Sequence, residues 1–199
     1  MRQILELGAD PVRGFHHPLL KPNRFHSEPR YPVDRYMCLG LYWDPRDYRY
    51  HEVIPTSGQV PHGLPGEWSE LYARLLEELF PSERGVVPET ALVNYYRDGR
   101  RMGQHVDKEE EDHVAPVLGV SFGAATRFYF LGPRGEKQSL LLPGNSVYVF
   151  GHRARLMPHS VGQPLLKNFS SEAHGLLLPG ERLSVTLRRV RGERKLRAP

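Results

Sequence analysis

The stretch "MGQHVDKEEEDH" (residues 102–113) places His105 and Asp107 one residue apart. In an extended chain, residues i and i+2 project to the same side. The imidazole and the carboxylate therefore stand next to each other, with Val106 on the opposite face. Two such groups can fill adjacent corners of an octahedron. A further histidine would complete a two-histidine, one-carboxylate set and leave positions open for a co-substrate and dioxygen, the donor pattern of non-haem Fe(II). The competing reading is a solvated acidic loop, because His-x-Asp is a common triplet. On either reading Glu110, Glu111 and Asp112 are expected to form a solvated rim.

A third donor must come from farther along the chain, where His113, His152, His159 and His174 are available. His113 is close to the pair within a charged loop, His152 follows a strand in a turn, and His174 lies in a Ser- and Gly-bearing connection. His159 falls within a predicted strand 52 residues beyond Asp107 (159 − 107), far enough for the chain to cross a sheet and return.

A second group lies near the end of the chain. In "RLSVTLR", Arg182, Ser184, Thr186 and Arg188 share one face of a strand, and Leu183, Val185 and Leu187 share the other. If the polar face lines a barrel, two guanidinium groups point into a cavity and require an anion. Their planar forks match a carboxylate, so a dicarboxylate co-substrate would satisfy them. Asn94 and Tyr96, also i and i+2 neighbours, could donate to the same acid.

These groups need a rigid frame. The chain has 199 residues, 39% hydrophobic and 25% charged, enough to bury one core. In "EWSELYARLLEELF" (67–80), Trp68, Leu71, Tyr72, Leu75, Leu76, Leu79 and Phe80 recur at helical spacing, and Pro81 ends the helix. Alternating segments then predict strands at 91–97, 115–123, 126–131, 138–142, 146–151, 156–161 and 182–190, separated by Gly- and Pro-bearing turns. An earlier strand is predicted at 36–43, and a long turn-rich connection at 44–66. The first 36 residues, rich in Pro, Arg and His, are expected to be irregular. Many short strands behind one covering helix imply a sandwich or jelly roll. Cys38 is the only cysteine, which fits a reducing, cytoplasmic setting. No apolar run is long enough to span a bilayer, and no secretory signal is expected. The net charge of +4 permits an anionic partner, and "RRVRGERKLR" (188–197) is either a solvated tail or a phosphate contact.

Taken together, Asn94-x-Tyr96, Met102, "HVDKEEED" (105–112), "APVLGVSFG", "RLMPH" ending at His159, and Arg182-x5-Arg188 resemble the AlkB-like 2-oxoglutarate- and Fe(II)-dependent dioxygenases, in that order and at similar spacings. The resemblance covers roughly residues 90–190 closely and 36–55 loosely. It implies a mainly β, double-stranded β-helix jelly roll with a covering helix and an N-terminal substrate lid. One catalytic domain over 1–199 would comprise an extension and lid (1–66), a core (67–190) and a basic tail (191–199). It implies that His105, Asp107 and His159 hold Fe(II), and that Asn94, Tyr96, Arg182, Ser184 and Arg188 hold 2-oxoglutarate, with O2 as the second co-substrate. Trp43, Tyr50, Glu109 and Arg134 would meet the substrate. Ser184 stands where the family often has Asn, and Phe150 where Trp is common. The implied activity is oxidative demethylation of N-alkylated nucleobases in DNA or RNA, a repair of alkylation damage that releases formaldehyde, succinate and CO2. The expected partner is methylated single-stranded DNA or RNA, with no membrane, and the chain is expected to be a monomer. A second reading keeps the core but hydroxylates or demethylates a protein side chain or small molecule. A third is a non-catalytic nucleic-acid-binding module.

Overall fold

The computed structural model describes residues 1–17, 33–97, 99–166 and 175–192. In chain order the elements are α1 (Arg2–Gly8), β1 (Arg35–Gly40), β2 (Tyr42–Asp44), β3 (Arg49–His51), α2 (Gly66–Leu79), β4 (Thr90–Tyr96), β5 (Met102–His105), β6 (Val117–Gly123), β7 (Thr126–Leu131), β8 (Lys137–Leu142), β9 (Ser146–Phe150), β10 (His159–Val161) and β11 (Arg182–Arg188). Two antiparallel sheets face each other, β1-β4-β11-β6-β9 and β5-β10-β7-β8, and β2 pairs with β3 in a separate hairpin. This is the jelly roll that the strand pattern and the resemblance both imply.

Side-chain alternation sets the layers. On β11, Leu183, Val185 and Leu187 join Val93 of β4, Leu118 of β6, and Tyr72 and Leu76 of α2 in the main apolar core. The other face of β11 turns to the second sheet, so every residue of the strand is buried. The two buried side chains of α2 fix that helix on the sheet, each worth about 1.5–3 kcal/mol. The Tyr72 hydroxyl also donates to the Pro116 carbonyl at 2.7 Å.

Several expectations are corrected. Residues 2–8 are helical rather than irregular, with Ile4 fully buried in the main core. A seven-residue helix is too short to persist on propensity; packing holds it, so it leaves little periodic trace. The 44–66 connection contains β3, which returns to pair with β2. The predicted strand at 156–161 shortens to His159–Val161, preceded by a 3-10 turn at His152–Ala154. β1, placed by the sequence in the N-terminal extension, is one of the two edge strands of the five-stranded sheet. His174 and the tail beyond Gly192 lie outside the described residues.

Candidate active site

His105 ends β5 and His159 begins β10, and the two are direct partners across that strand pair. Their rings lie 4.3 Å apart between centroids. Asp107 follows two residues after His105, with Oδ1 3.6 Å from the His105 Nε2. One donor atom from each of the three residues falls within 4.8 Å of the others. Each imidazole is oriented in the same way: Nδ1 meets the carbonyl two residues back, Gly103 for His105 at 2.8 Å and Met157 for His159 at 2.9 Å. With the proton on Nδ1, the Nε2 lone pair is free for a cation, the usual orientation of a ligating histidine. Burial lowers the His159 pKa, against the pull of Asp107, which keeps that ring neutral and able to ligate. Phe128 and Phe150 flank its ring, at 5.3 and 4.9 Å between centroids. Two nitrogens and one carboxylate oxygen, held this way, fit Fe(II).

The inward face of the five-stranded sheet forms a polar row. Ser184 pairs with Asn94 on one side and Ser121 on the other, and Arg182 pairs with Tyr96. Arg182 is 1% exposed. Its Nε donates to the Ser121 hydroxyl at 3.1 Å, and its guanidinium lies 5.2 Å from the centre of the Tyr96 ring. Its Nη1 and Nη2 are buried without a hydrogen-bond acceptor among the described residues. A buried guanidinium left this way is costly unless an anion meets it, and a carboxylate of 2-oxoglutarate fits both nitrogens. Burial pushes the Tyr96 phenol up to about 12, so near neutral pH it remains a hydroxyl able to donate. The sequence reading missed Ser121 and Tyr148. The Tyr148 hydroxyl lies 3.1 Å from that of Ser184, and its ring occupies space that any side chain at Gly119 would fill. The alternation of "SVYVF" was the available signal for Tyr148.

Arg188 stands apart from this row. Its Nη2 lies 3.0 Å from Asp107 Oδ2 and its Nη1 2.7 Å from Glu110 Oε1. Glu110 is not part of a solvated rim. Its side chain is fully buried, bonded by the Tyr50 hydroxyl and by Arg155, whose Nη2 is 3.1 Å away. Burial would raise the Glu110 carboxyl, but Arg188, the Tyr50 hydroxyl and Arg155 outweigh it and hold the pKa at about 2. Asp112 is buried as well and accepts the backbone N–H groups of Val114 and Ala115. Of the acids expected at the rim, Glu111 is the exposed one. A run of acids reads as solvated because its arginine partners lie 45 and 78 residues away.

A cavity of about 390 Å³ opens beside the triad. Trp43, Tyr48, Met102, Glu109 and Arg188 line it with His105 and Asp107. Tyr48, a residue the sequence reading passed over, is 59% exposed at its mouth. Tyr50 is opposite Trp43 in the hairpin, but its hydroxyl is turned to Glu110. Arg134 is exposed on the turn between β7 and β8, outside this lining.

Residues 13–188 match the model of the 2OG-Fe(II) oxygenase superfamily. The chain is 36% identical over 155 residues to an alpha-ketoglutarate-dependent dioxygenase AlkB homolog of Caulobacter vibrioides, covering 77% of this chain and 66% of that protein. It is 30% identical over 174 residues to the Arabidopsis thaliana DNA N(6)-methyladenine demethylase ALKBH1C, covering 76% of this chain and 38% of that one. The chain thus spans less than two thirds of the length of either relative. Among solved structures, that of OsALKBH1 superposes with a TM-score of 0.77 at 26% identity, covering 94% of this chain and 88% of the other.

Proposed function

Because this chain belongs to the 2OG-Fe(II) oxygenase superfamily, among its AlkB-like members, we propose that it oxidatively demethylates N-alkylated nucleobases in DNA or RNA. His105, Asp107 and His159 would hold Fe(II), and Arg182, Asn94, Tyr96 and Ser184 would hold 2-oxoglutarate. When bound, the iron, 2-oxoglutarate and dioxygen together supply oxidation of the N-methyl group, with formaldehyde, succinate and CO2 as products.

The protein's own part is placement. Arg182 fixes the distal carboxylate of the co-substrate from a site that is closed to water. The strands β5 and β10 fix His105 and His159 as direct partners, and Arg188 holds the Asp107 carboxylate at 3.0 Å. A base that reacts here must leave its stack. The observation that carries the nucleobase reading is the cavity itself, lined by the aromatic Trp43 and Tyr48 together with two triad residues, His105 and Asp107. Its volume is within the range of small-ligand pockets. On this reading Trp43 supplies a stacking face and Glu109 a polar contact to the base edge. Arg134, exposed on its turn, takes a more distant phosphate, and Tyr50 holds the hairpin in place instead of stacking. The relatives' printed names, an AlkB homolog and a DNA demethylase, agree with it.

The deciding experiment is formaldehyde release from a panel of methylated DNA and RNA oligonucleotides, single- and double-stranded, with Fe(II) and 2-oxoglutarate. Turnover on at least one member is expected. Uncoupled succinate formation without release from any oligonucleotide would instead assign the site to a protein side chain or small molecule.

A further inference from the structure

Two arginines grip Asp107, and the same carboxylate aligns both. Arg188 Nη2 reaches the Asp107 side chain at Oδ2, and Arg155 Nη1 donates to the Asp107 backbone carbonyl at 2.6 Å. Glu110 sits between them, with Oε1 on Arg188 and Oε2 on Arg155. Arg155 also holds the Ala115 carbonyl at 2.9 Å and the Asp112 carbonyl at 3.4 Å, so it clamps the loop that carries the acid. The Tyr50 hydroxyl completes the set by donating to Glu110 from β3. All three charged partners of this network are nearly closed to solvent, with side-chain exposures of 8% for Arg188, 2% for Arg155 and 0% for Glu110.

The consequence concerns how Asp107 can bind a cation. Oδ2 is occupied by Arg188, whereas Oδ1 faces the His105 Nε2. We propose that Glu110 is a positioning residue for the metal centre: by fixing Arg188 on Oδ2 it leaves Oδ1 as the single donor of Asp107, and through Tyr50 it ties that donor to the β2–β3 hairpin. The charges support the assignment. Arg155, Arg188, Glu110 and Asp107 sum to zero before a cation arrives. Without the charge of Glu110, two buried guanidinium groups would face one carboxylate beside a dication. Residues that orient a ligand from behind typically contribute 10- to 100-fold in metal affinity.

This inference rests on the metal-centre reading, and the experiment separates the two. Mn(II) binding is titrated by EPR, and the Co(II) absorption spectrum is recorded at saturation, for the full chain and for Asp107→Ala, Glu110→Gln, Glu110→Asp and Tyr50→Phe. Wild type is expected to bind Mn(II) and Asp107→Ala to lose it; no binding by wild type would overturn the metal centre itself. Glu110→Gln is expected to bind Mn(II) roughly 10- to 100-fold more weakly and to change the Co(II) spectrum, because Oδ2 is released. Glu110→Asp keeps the charge and is expected to recover part of the affinity. Tyr50→Phe removes one hydrogen bond and is expected to weaken binding about 2- to 12-fold. Wild-type affinity and an unchanged Co(II) spectrum in Glu110→Gln would overturn the proposal. Should Glu110→Gln fail to fold, the same two results in Tyr50→Phe would overturn it.

Discussion

Arg182 is a residue that should weaken the protein until its ligand arrives. Its side chain is among the largest fully buried ones in the chain, and two of its three nitrogens have no acceptor among the described residues. Leaving buried polar groups unsatisfied costs about 1–3 kcal/mol each, more when they are charged. Arg182→Met keeps much of the volume and removes the charge. In the absence of 2-oxoglutarate it should therefore be at least as stable as wild type, since apolar replacement of buried charge is often neutral or stabilising. With 2-oxoglutarate the order reverses. A ligand at 100 times its Kd adds about 2.7 kcal/mol, which for a domain of this size raises Tm by about 5–11 °C. Wild type should show that rise, and Arg182→Met should show little of it. Loss of a charged hydrogen-bonded contact of about 1.5–3 kcal/mol weakens co-substrate affinity roughly 10- to 150-fold. Arg182→Lys should recover little, because an ammonium cannot make the planar fork. The assay is a melting curve with and without 2-oxoglutarate, paired with calorimetric titration. An Arg182→Met protein that melts well below wild type yet gains the same Tm on adding 2-oxoglutarate would refute the reasoning.

Three further outcomes are expected. His105→Ala, Asp107→Ala and His159→Ala should each abolish turnover while circular dichroism stays that of wild type, since the apolar cores lie on other residues. Trp43→Ala should weaken binding to methylated single-stranded oligonucleotide roughly 5- to 150-fold, from about 1–3 kcal/mol of base stacking, and leave substrate-free 2-oxoglutarate turnover unchanged; competition titrations and succinate assays check both. The acid limb of stability should depend on Glu110. Its folded pKa, about 2, lies below its ordinary value of 4.5, so its contribution is fully present above pH 4.5 and is lost as pH falls toward 2. Denaturant melts of the metal-free protein across that window should fall less steeply with acid in Glu110→Gln than in wild type.

What the sequence determines here is what local periodicity can encode. His105 and Asp107 are one residue apart, so any extended backbone presents them together. The alternation of β11 separates Leu183, Val185 and Leu187 from Arg182, Ser184 and Thr186 before any partner is known, and the core accepts the apolar set. The stripe of α2 marks its packing face in the same way, through Tyr72 and Leu76. The tertiary structure decides what depends on distant partners. Arg182 and Arg188 are equivalent by spacing, yet one is left with two unsatisfied nitrogens and the other is clasped by Asp107 and Glu110. "EEED" has the composition of a solvated loop, and only the arrival of Arg155 from the end of a 3-10 turn and of Arg188 from β11, both far along the chain, makes burial of Glu110 affordable. Tyr50 and Trp43 look like a matched pair of lid aromatics and are direct partners across the hairpin, yet Trp43 lines the cavity while the Tyr50 hydroxyl donates to buried Glu110, a partner 60 residues away. Period and spacing are properties of one segment. Compensation of a buried charge belongs to a three-dimensional neighbourhood, and a linear pattern does not contain it.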